Sequence, residues 1–495
     1  MKQADIDALR GKSIAPQGLF IDGGWTQPLN GGRLDVLSPI DGKVLTTIAD
    51  AGAEDVDRAV RTARAAFEKG AWSRMAPAGR KKVLLKLADL IEAHALELAV
   101  LGVRDNGTEI SMAYKAEPLS AAGTFRYYAE AIDKIYGEIA PTQADVLGLI
   151  HREPLGVVAA IVPWNFPMMI GAWKVAPALA AGNSVVLKPA EVASLTLLRL
   201  GELAAEAGIP EGVFNVVTGR GSVTGEALGL HMDVDAIAFT GSGGVGRRLL
   251  EYSARSNLKR VHLELGGKSP NIVFADAPDL DLAAKVSAFG IFRNSGQVCV
   301  AGSRLLVQSS VYDRFMEKLV AVTRGMVVGD PLDLASDTGA VSSAEQLAKN
   351  LDHVAAAEED GARRVTGGNR LREETGGYYM APTIFDEVTP AMRLAREEVF
   401  GPVLAVSRFE DEAEAVRLAN ATVYGLASAV WTSSLATAHR MVRAVRAGVV
   451  HVNTYGGADI TVPLGGFGQS GFGRDKSLHA FDKYTDLKTA WISLG

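Results

Sequence analysis

Residues 234–255, VDAIAFTGSGGVGRRLLEYSAR, decide the fold. They open on a short strand-like run at 234–239 and pass through the turn Gly241-Ser242-Gly243-Gly244-Val245-Gly246. They close on a segment of helical periodicity at 245–255. Strand, tight turn and helix in direct succession are the repeating unit of a parallel sheet. The glycine spacing also suits a dinucleotide, because it lets a pyrophosphate approach backbone N–H groups at a helix N-terminus. Glycine-rich turns are common in a chain with 53 glycines, so the phosphate reading depends on the flanking strand and helix.

Working outward, strand-like runs at 157–162, 184–187, 213–217 and 260–263 alternate with helical segments such as 195–207. This predicts a doubly wound parallel sheet with ligands at the carboxyl ends of its strands. The alternation restarts after Leu265 with runs at 271–274, 305–308, 403–409 and 449–453, which predicts a second α/β domain. Upstream, residues 19–50 turn at Gly23-Gly24 and Asp41-Gly42 and read as short hairpins. From 54 to 136 the pattern is helical, with Val56, Val60, Ala63 and Phe67 on one apolar face. Residues 137–158 return to strand character as a two-stranded arm without a core of its own. Such an arm needs a neighbour, and a partner subunit is one candidate.

Length and composition narrow the function classes. A chain of 495 residues is too long for one ordinary core. With 48% hydrophobic and 22% charged residues and a net charge of −6, it reads as a soluble enzyme. It shows no electrostatic footprint for nucleic acid or an anionic membrane. The opening MKQADIDALRGKS has early acids and no apolar run, unlike a secretory signal or transit peptide. The only cysteine, Cys299, cannot form an internal disulfide. The reducing cytoplasm is the expected compartment, and no metal is expected.

Four pieces of sequence carry chemistry. Cys299 lies in IFRNSGQVCVAGS, 291–303, among small and polar residues, so it is either inert packing or a reactive sulfur on tight backbone. After the dinucleotide-like turn, Glu264 stands about 20 residues on, where a ribose-binding acid is expected. Lys188 and Glu191, in KPAE, offer a rival pair for the same ribose. With Glu191 in that role, its charge would repel a 2′-phosphate and favour NAD over NADP. In PWNFP, two prolines fix the backbone around Asn165, which would suit an oxyanion-stabilising amide or simply a stiff turn.

Together, PWNFP at 163–167, KPAE at 188–191, FTGS at 239–242, ELGGKSPN at 264–271, NSGQVC at 294–299, EEVFGP at 397–402 and PLGG at 463–466 resemble the NAD(P)-dependent aldehyde dehydrogenase superfamily. Within it, the region from Tyr128 onward and the C-terminal end look most like the gamma-glutamyl-gamma-aminobutyraldehyde dehydrogenases. The resemblance implies that Cys299 attacks the aldehyde carbon as a thiolate, giving a thiohemiacetal and then a thioester. Asn165 and the Cys299 N–H would hold the oxyanion, Glu264 would activate the hydrolytic water, and Lys174 would support the oxyanion and proton traffic. It gives the adenosine ribose to Lys188 and Glu191. Ile161, Pro163, Trp164, Gly221, Thr240, Gly241, Ser242, Gly246, Leu265, Glu398 and Phe400 complete the implied NAD site. Phe166, Met169, Trp173, Arg293, Val298, Tyr455, Asp459 and Leu464 are the implied substrate tunnel.

The implied fold is a Rossmann-like cofactor domain over 1–135 and 155–266, a catalytic α/β domain over 267–467, and an oligomerisation arm and tail over 136–154 and 468–495. The implied partners are a small aldehyde and water, and the implied assembly is a homodimer or homotetramer. Four departures from the family pattern stand out: Asp475 in place of Glu, Leu464 in place of Phe, Gly468 in place of Lys, and Arg293 beside Asn294. The second and third suggest a roomier or altered mouth. Arg293 would meet an anionic tail or, as the blander expectation, form a surface salt bridge, and Asp459 would meet an amine or be an ordinary loop acid. The rival functions are a broad-specificity aliphatic or aromatic aldehyde dehydrogenase, a CoA-acylating dehydrogenase, a thiol esterase, and a non-catalytic structural or binding protein on the same fold.

Overall fold

The computed structural model describes residues 1–456 and 459–495. Ala236–Thr240 is a strand and Gly243–Arg255 the helix that follows it, as the glycine-rich stretch predicts. The strand runs parallel to Val157–Ile161 on one side and to Arg260–Glu264 on the other. Ser184–Lys188 and Phe214–Val216 extend the parallel set. The sheet has eight strands, closed at one edge by the hairpin Leu19–Ile21 and Gly24–Thr26. At the other edge Gly471–Phe472 returns from late in the chain and pairs Gly471 with Glu264.

Period-two alternation sorts the central strand between two cores. Val158 and Ala160 face a layer holding Leu87, Phe125, Leu179 and Leu198. Val157, Ala159 and Ile161 face Val56, Ala59, Val60 and Leu249. Both faces are covered, so this central strand is apolar throughout, and each fully buried Val or Leu contributes about 1.5–3 kcal/mol.

A second sheet has seven strands in the order Arg363–Thr366, Thr383–Asp386, Val403–Phe409, Arg304–Gln308, Pro270–Val273, Ala427–Trp431 and Val449–Val452. All are parallel except Arg363–Thr366. The sequence pattern misses three of them. Arg363–Thr366 is short, Thr383–Asp386 carries polar ends, and Ala427–Trp431 is built partly of small residues.

The arm has three strands: Glu138–Ala140 and Val146–Pro154 are joined by Thr485–Ser493 from the C-terminal end. Its surface keeps Ile139, Leu487, Trp491 and Leu494 exposed. The architecture is therefore two doubly wound α/β units with a small β arm. Among the described residues, no helix is long and apolar enough to cross a membrane.

Candidate active site

Cys299 follows helix Leu280–Phe292 on a loop whose backbone is unusual. Asn294, Ser295 and Gly296 are consecutive left-handed residues with φ of 48°, 50° and 72°. Only glycine fits at 296, because a Cβ there would run into the Gly401 carbonyl. Buried polar groups hold the two non-glycine residues in this costly conformation. Thr108 donates its hydroxyl to Asn294 Oδ1 (2.7 Å), Asn294 N–H donates to Glu109 Oε2 (3.1 Å), and Ser295 Oγ donates to the Gly339 carbonyl (3.0 Å). Ser342 N–H donates to Gln297 Oε1 at 2.9 Å. The loop is thus clamped on the side away from the thiol.

Asn165 reaches this loop from the first sheet. The strand Val157–Ile161 runs into PWNFP, and Pro167 opens helix Pro167–Ala181 at its first turn. Asn165 Nδ2 donates to the Gln297 carbonyl at 2.8 Å, while its Oδ1 is buried without a partner. One amide N–H is therefore already committed, and only the second is available for an oxyanion.

Glu264 ends the strand Arg260–Glu264, and the chain then passes through Gly266 and Gly267. A Cβ at Gly267 would lie 2.7 Å from the Cys299 carbonyl oxygen, and one at Gly266 would collide with the Glu398 carboxylate. These two glycines let the acid strand, the cysteine loop and Glu398 close together. Glu264 is buried with Oε1 unpartnered. Burial, and then the Asp475 carboxylate, push its pKa well above the ordinary value, against Lys483, Lys174 and Arg474. Burial, then the charges of Glu398 and Glu264, push the Cys299 thiol up to about 12. In the chain alone the sulfur therefore carries its proton, and attack as a thiolate requires that the proton first be taken from it.

A buried charge cluster stands behind Glu264. Asp475 Oδ2 accepts from Lys174 Nζ at 2.9 Å, and its Oδ1 accepts from Lys483 Nζ. Burial would raise the Asp475 carboxyl, but the two ammonium groups outweigh it and hold the pKa down to about 2. Lys174 is a buried ion-paired group and not the ordinary surface lysine that its sequence context allows. Lys483 has no warning in the sequence, since it stands in a polar C-terminal stretch and meets Asp475 only through the fold.

Most residues assigned to a dinucleotide lie on or beside the first sheet, while Glu398 and Phe400 stand on the loop before strand Val403–Phe409 of the second. Ser242 caps helix Gly243–Arg255, its Oγ accepting from Val245 N–H at 3.4 Å. Thr240 Oγ1, at the preceding strand end, is buried without a partner. Gly246 and Leu265 are buried against each other. Lys188 is buried, with Nζ donating to the Pro189 carbonyl at 2.9 Å and lying 3.9 Å from Glu191 Oε2. The other oxygen of Glu191 accepts from Gly221 N–H. Ile161 is buried, Pro163 follows it, and Trp164 packs edge-on against Phe400 at 5.3 Å. Phe400 is itself left-handed, at φ 56°. Glu398 Oε1 accepts from Gly267 N–H at 2.9 Å, and burial raises its carboxyl to about 7.

A cavity of about 760 Å³ reaches the residues on either side of Cys299. Its lining includes Phe166, Met169, Trp173, Val298, Tyr455 and Leu464. Three expectations change here. Asp459 lies outside the lining; it is exposed and accepts Thr461 N–H at 2.8 Å, closing a local turn. Gly468 does not widen the mouth, because it sits at φ 57° against the Val423 carbonyl, away from the cavity. Arg293 makes no surface salt bridge among the described residues, but stacks 4.8 Å from the Phe289 ring centre and lines the cavity. Sequence reasoning also missed Glu117, whose buried Oε2 accepts Met169 N–H at 2.8 Å and seats the helix carrying Met169, Trp173 and Lys174. The neighbouring Pro118, inside a helical segment, is the signal that marks that spot.

Comparisons with known proteins bear on this geometry. The model of the aldehyde dehydrogenase family matches residues 25–490. The chain is 50% identical over 476 residues to the NADP/NAD-dependent aldehyde dehydrogenase PuuC of Escherichia coli (strain K12), spanning 96% of this chain and 95% of that protein. It is 52% identical, with a TM-score of 0.98 and 100% of both chains covered, to an indole-3-acetaldehyde dehydrogenase crystallised with NAD+. The same identity, TM-score and coverage relate it to a gamma-glutamyl-gamma-aminobutyraldehyde dehydrogenase from Burkholderia cenocepacia J2315.

Proposed function

The chain belongs to the aldehyde dehydrogenase family, and from that premise we propose that it oxidises an aldehyde to a carboxylic acid with NAD, through a thioester on Cys299. The observation that carries this reading is the meeting of three separate strand and helix ends. The Asn165 amide is bonded into the Cys299 loop, the charge of the buried Glu264 acts on the thiol, and the residues on either side of that thiol line one cavity.

NAD fits the residues present. The orphaned Thr240 hydroxyl lies at the strand end beside the N-terminus of helix Gly243–Arg255, and Lys188, Glu191 and Gly221 form a polar cluster on the same sheet. When bound, the nicotinamide supplies the acceptor for the hydride that leaves the substrate carbon. Glu191, half exposed beside Lys188, would receive ribose hydroxyls and disfavour a 2′-phosphate. NAD is therefore the preferred cofactor, with NADP use by PuuC as the precedent for the second.

Cys299 Sγ loses its proton to solvent and bonds to the aldehyde carbon, and the free N–H of Asn165 with the Cys299 N–H steadies the oxygen. Glu264 takes a proton from the water that attacks the resulting thioester; the carbon–sulfur bond breaks, the acid leaves, and Glu264 passes that proton to the sulfur, restoring the thiol. A carboxyl held high by burial is suited to a base that must both accept and return a proton.

For the substrate we take an aminoaldehyde such as gamma-glutamyl-gamma-aminobutyraldehyde, on the strength of the Burkholderia relative. The indole-3-acetaldehyde relative is equally similar and supports an aromatic aldehyde as the second reading. The same proposal takes 1–135 with 155–266 as the cofactor unit, 267–467 as the catalytic unit and the exposed arm as the contact of a cytoplasmic homodimer or homotetramer. Measuring NADH formation across aminoaldehydes, aliphatic and aromatic aldehydes tests it. Turnover on acylated aminoaldehydes supports the first reading, and turnover confined to aromatic ones replaces it with the second.

A further inference from the structure

The mouth of the cavity carries positive charge that the reaction chemistry does not use. Arg293 is exposed at the end of helix Leu280–Phe292 and is held over Phe289. Lys285 lines the same cavity about two turns earlier on that helix, also exposed. Lys476 lines it too, its ammonium 5.7 Å from the Trp173 ring centre. Among the described residues, Asp337 is the one carboxylate in the lining, and its Oδ2 accepts Val327 N–H at 2.9 Å. Glu109 feels the charge of Arg293 but lies buried beneath the cysteine loop, bonded to Asn294 N–H. Neither Arg293 nor Lys285 has an ion pair among the described residues.

The remainder of the lining is largely apolar, from Phe166, Met169 and Trp173 to Val298 beside the thiol. An aldehyde whose reacting end meets Cys299 would lay its body along these side chains, with Arg293 and Lys285 available to its far end. A guanidinium stacked on a ring keeps its N–H edge free, and that edge matches a carboxylate in a bidentate manner.

We infer that this cavity selects aldehydes whose far end carries a carboxylate, and that Arg293 is the residue that reads it. The inference rests on the aldehyde dehydrogenase reading and deepens it. A bare ammonium end meets like charge at this mouth, whereas an amine masked by an acyl group that itself bears a carboxylate does not.

The test compares two six-carbon aldehydes, adipate semialdehyde and hexanal, by kcat/KM for NADH formation at low ionic strength. The wild-type protein prefers the carboxylate, and raising the salt weakens that preference. Arg293→Met lowers the preference about tenfold through KM, the scale of one lost charge-assisted hydrogen bond, and Arg293→Lys retains part of it. Hexanal turnover by the same preparations shows that each variant is folded. A wild-type preference for hexanal, or a ratio that Arg293→Met leaves unchanged, overturns the inference while leaving the aldehyde dehydrogenase reading intact. No NADH from either aldehyde overturns the inference as well, and NADH from an aromatic aldehyde in the same assay then shows that the aldehyde dehydrogenase reading stands apart from it.

Discussion

Replacing Asp475 with Asn removes the shared counterion of two buried ammonium groups. Lys174, Asp475 and Lys483 are each almost fully buried, so solvent screens little of their interaction. Holding a carboxyl at about 2 instead of its ordinary 3.8 corresponds to about 2–3 kcal/mol of stability at neutral pH. Breaking one side of a buried pair costs about 3–5 kcal/mol, and the upper part of that range applies because two cations lose their partner. The folded pKa is depressed, so this stability is present above the ordinary carboxyl value and lost as the pH falls through about 2. Urea unfolding at neutral pH should therefore show Asp475→Asn destabilised by about 4 kcal/mol, with the deficit shrinking in acid. A second readout is kinetic. The Asp475 charge raises the pKa of Glu264, so its removal moves the acid limb of the kcat profile to lower pH. A loss below about 1 kcal/mol, the value of an exposed pair, or an acid limb displaced upward, would refute the reasoning.

Two further predictions follow from single contacts. Glu191→Gln should raise the ratio of NADP to NAD efficiency about tenfold, because one like charge beside a phosphate costs on the order of 1–2 kcal/mol near a surface; an unchanged ratio in steady-state assays would return Glu191 to a purely structural role. Gly296→Ala should destabilise by about 2–4 kcal/mol, since the left-handed backbone and the Gly401 carbonyl both oppose a Cβ. Thermal unfolding within a degree of wild type would contradict that account of the loop.

The parts of the molecule that were legible in the sequence are those governed by local pattern. The strand and helix around Gly241–Gly246 and their parallel neighbours follow from period and turn chemistry, which act over a few residues. The motifs around Asn165, Glu264 and Cys299 were legible as units, and the fold brings them to one place. What was hidden depends on long-range contacts. Lys483 gains meaning only beside Asp475 and Lys174, the latter more than 300 residues away in the chain. Arg293 could be weighed as a surface ion pair until the structure placed it over Phe289, without a salt bridge among the described residues. Asp459 looked like a substrate contact because it precedes the PLGG turn, but one of its oxygens accepts Thr461 N–H in a local turn and it lies outside the cavity lining. The upward push on the Cys299 thiol was also invisible, because it results from burial and from two acids, Glu398 and Glu264, that only the fold brings near it.

The central claim is that Cys299 carries the acyl group and Glu264 releases it. The direct measurement is the mass of Glu264→Gln protein quenched after mixing with NAD and an aldehyde substrate. The account predicts one equivalent of NADH formed in a burst, followed by a stalled protein whose added mass equals the acyl group and maps to the peptide containing Cys299. Unchanged steady-state turnover, or a burst with no adduct on that peptide, would contradict it.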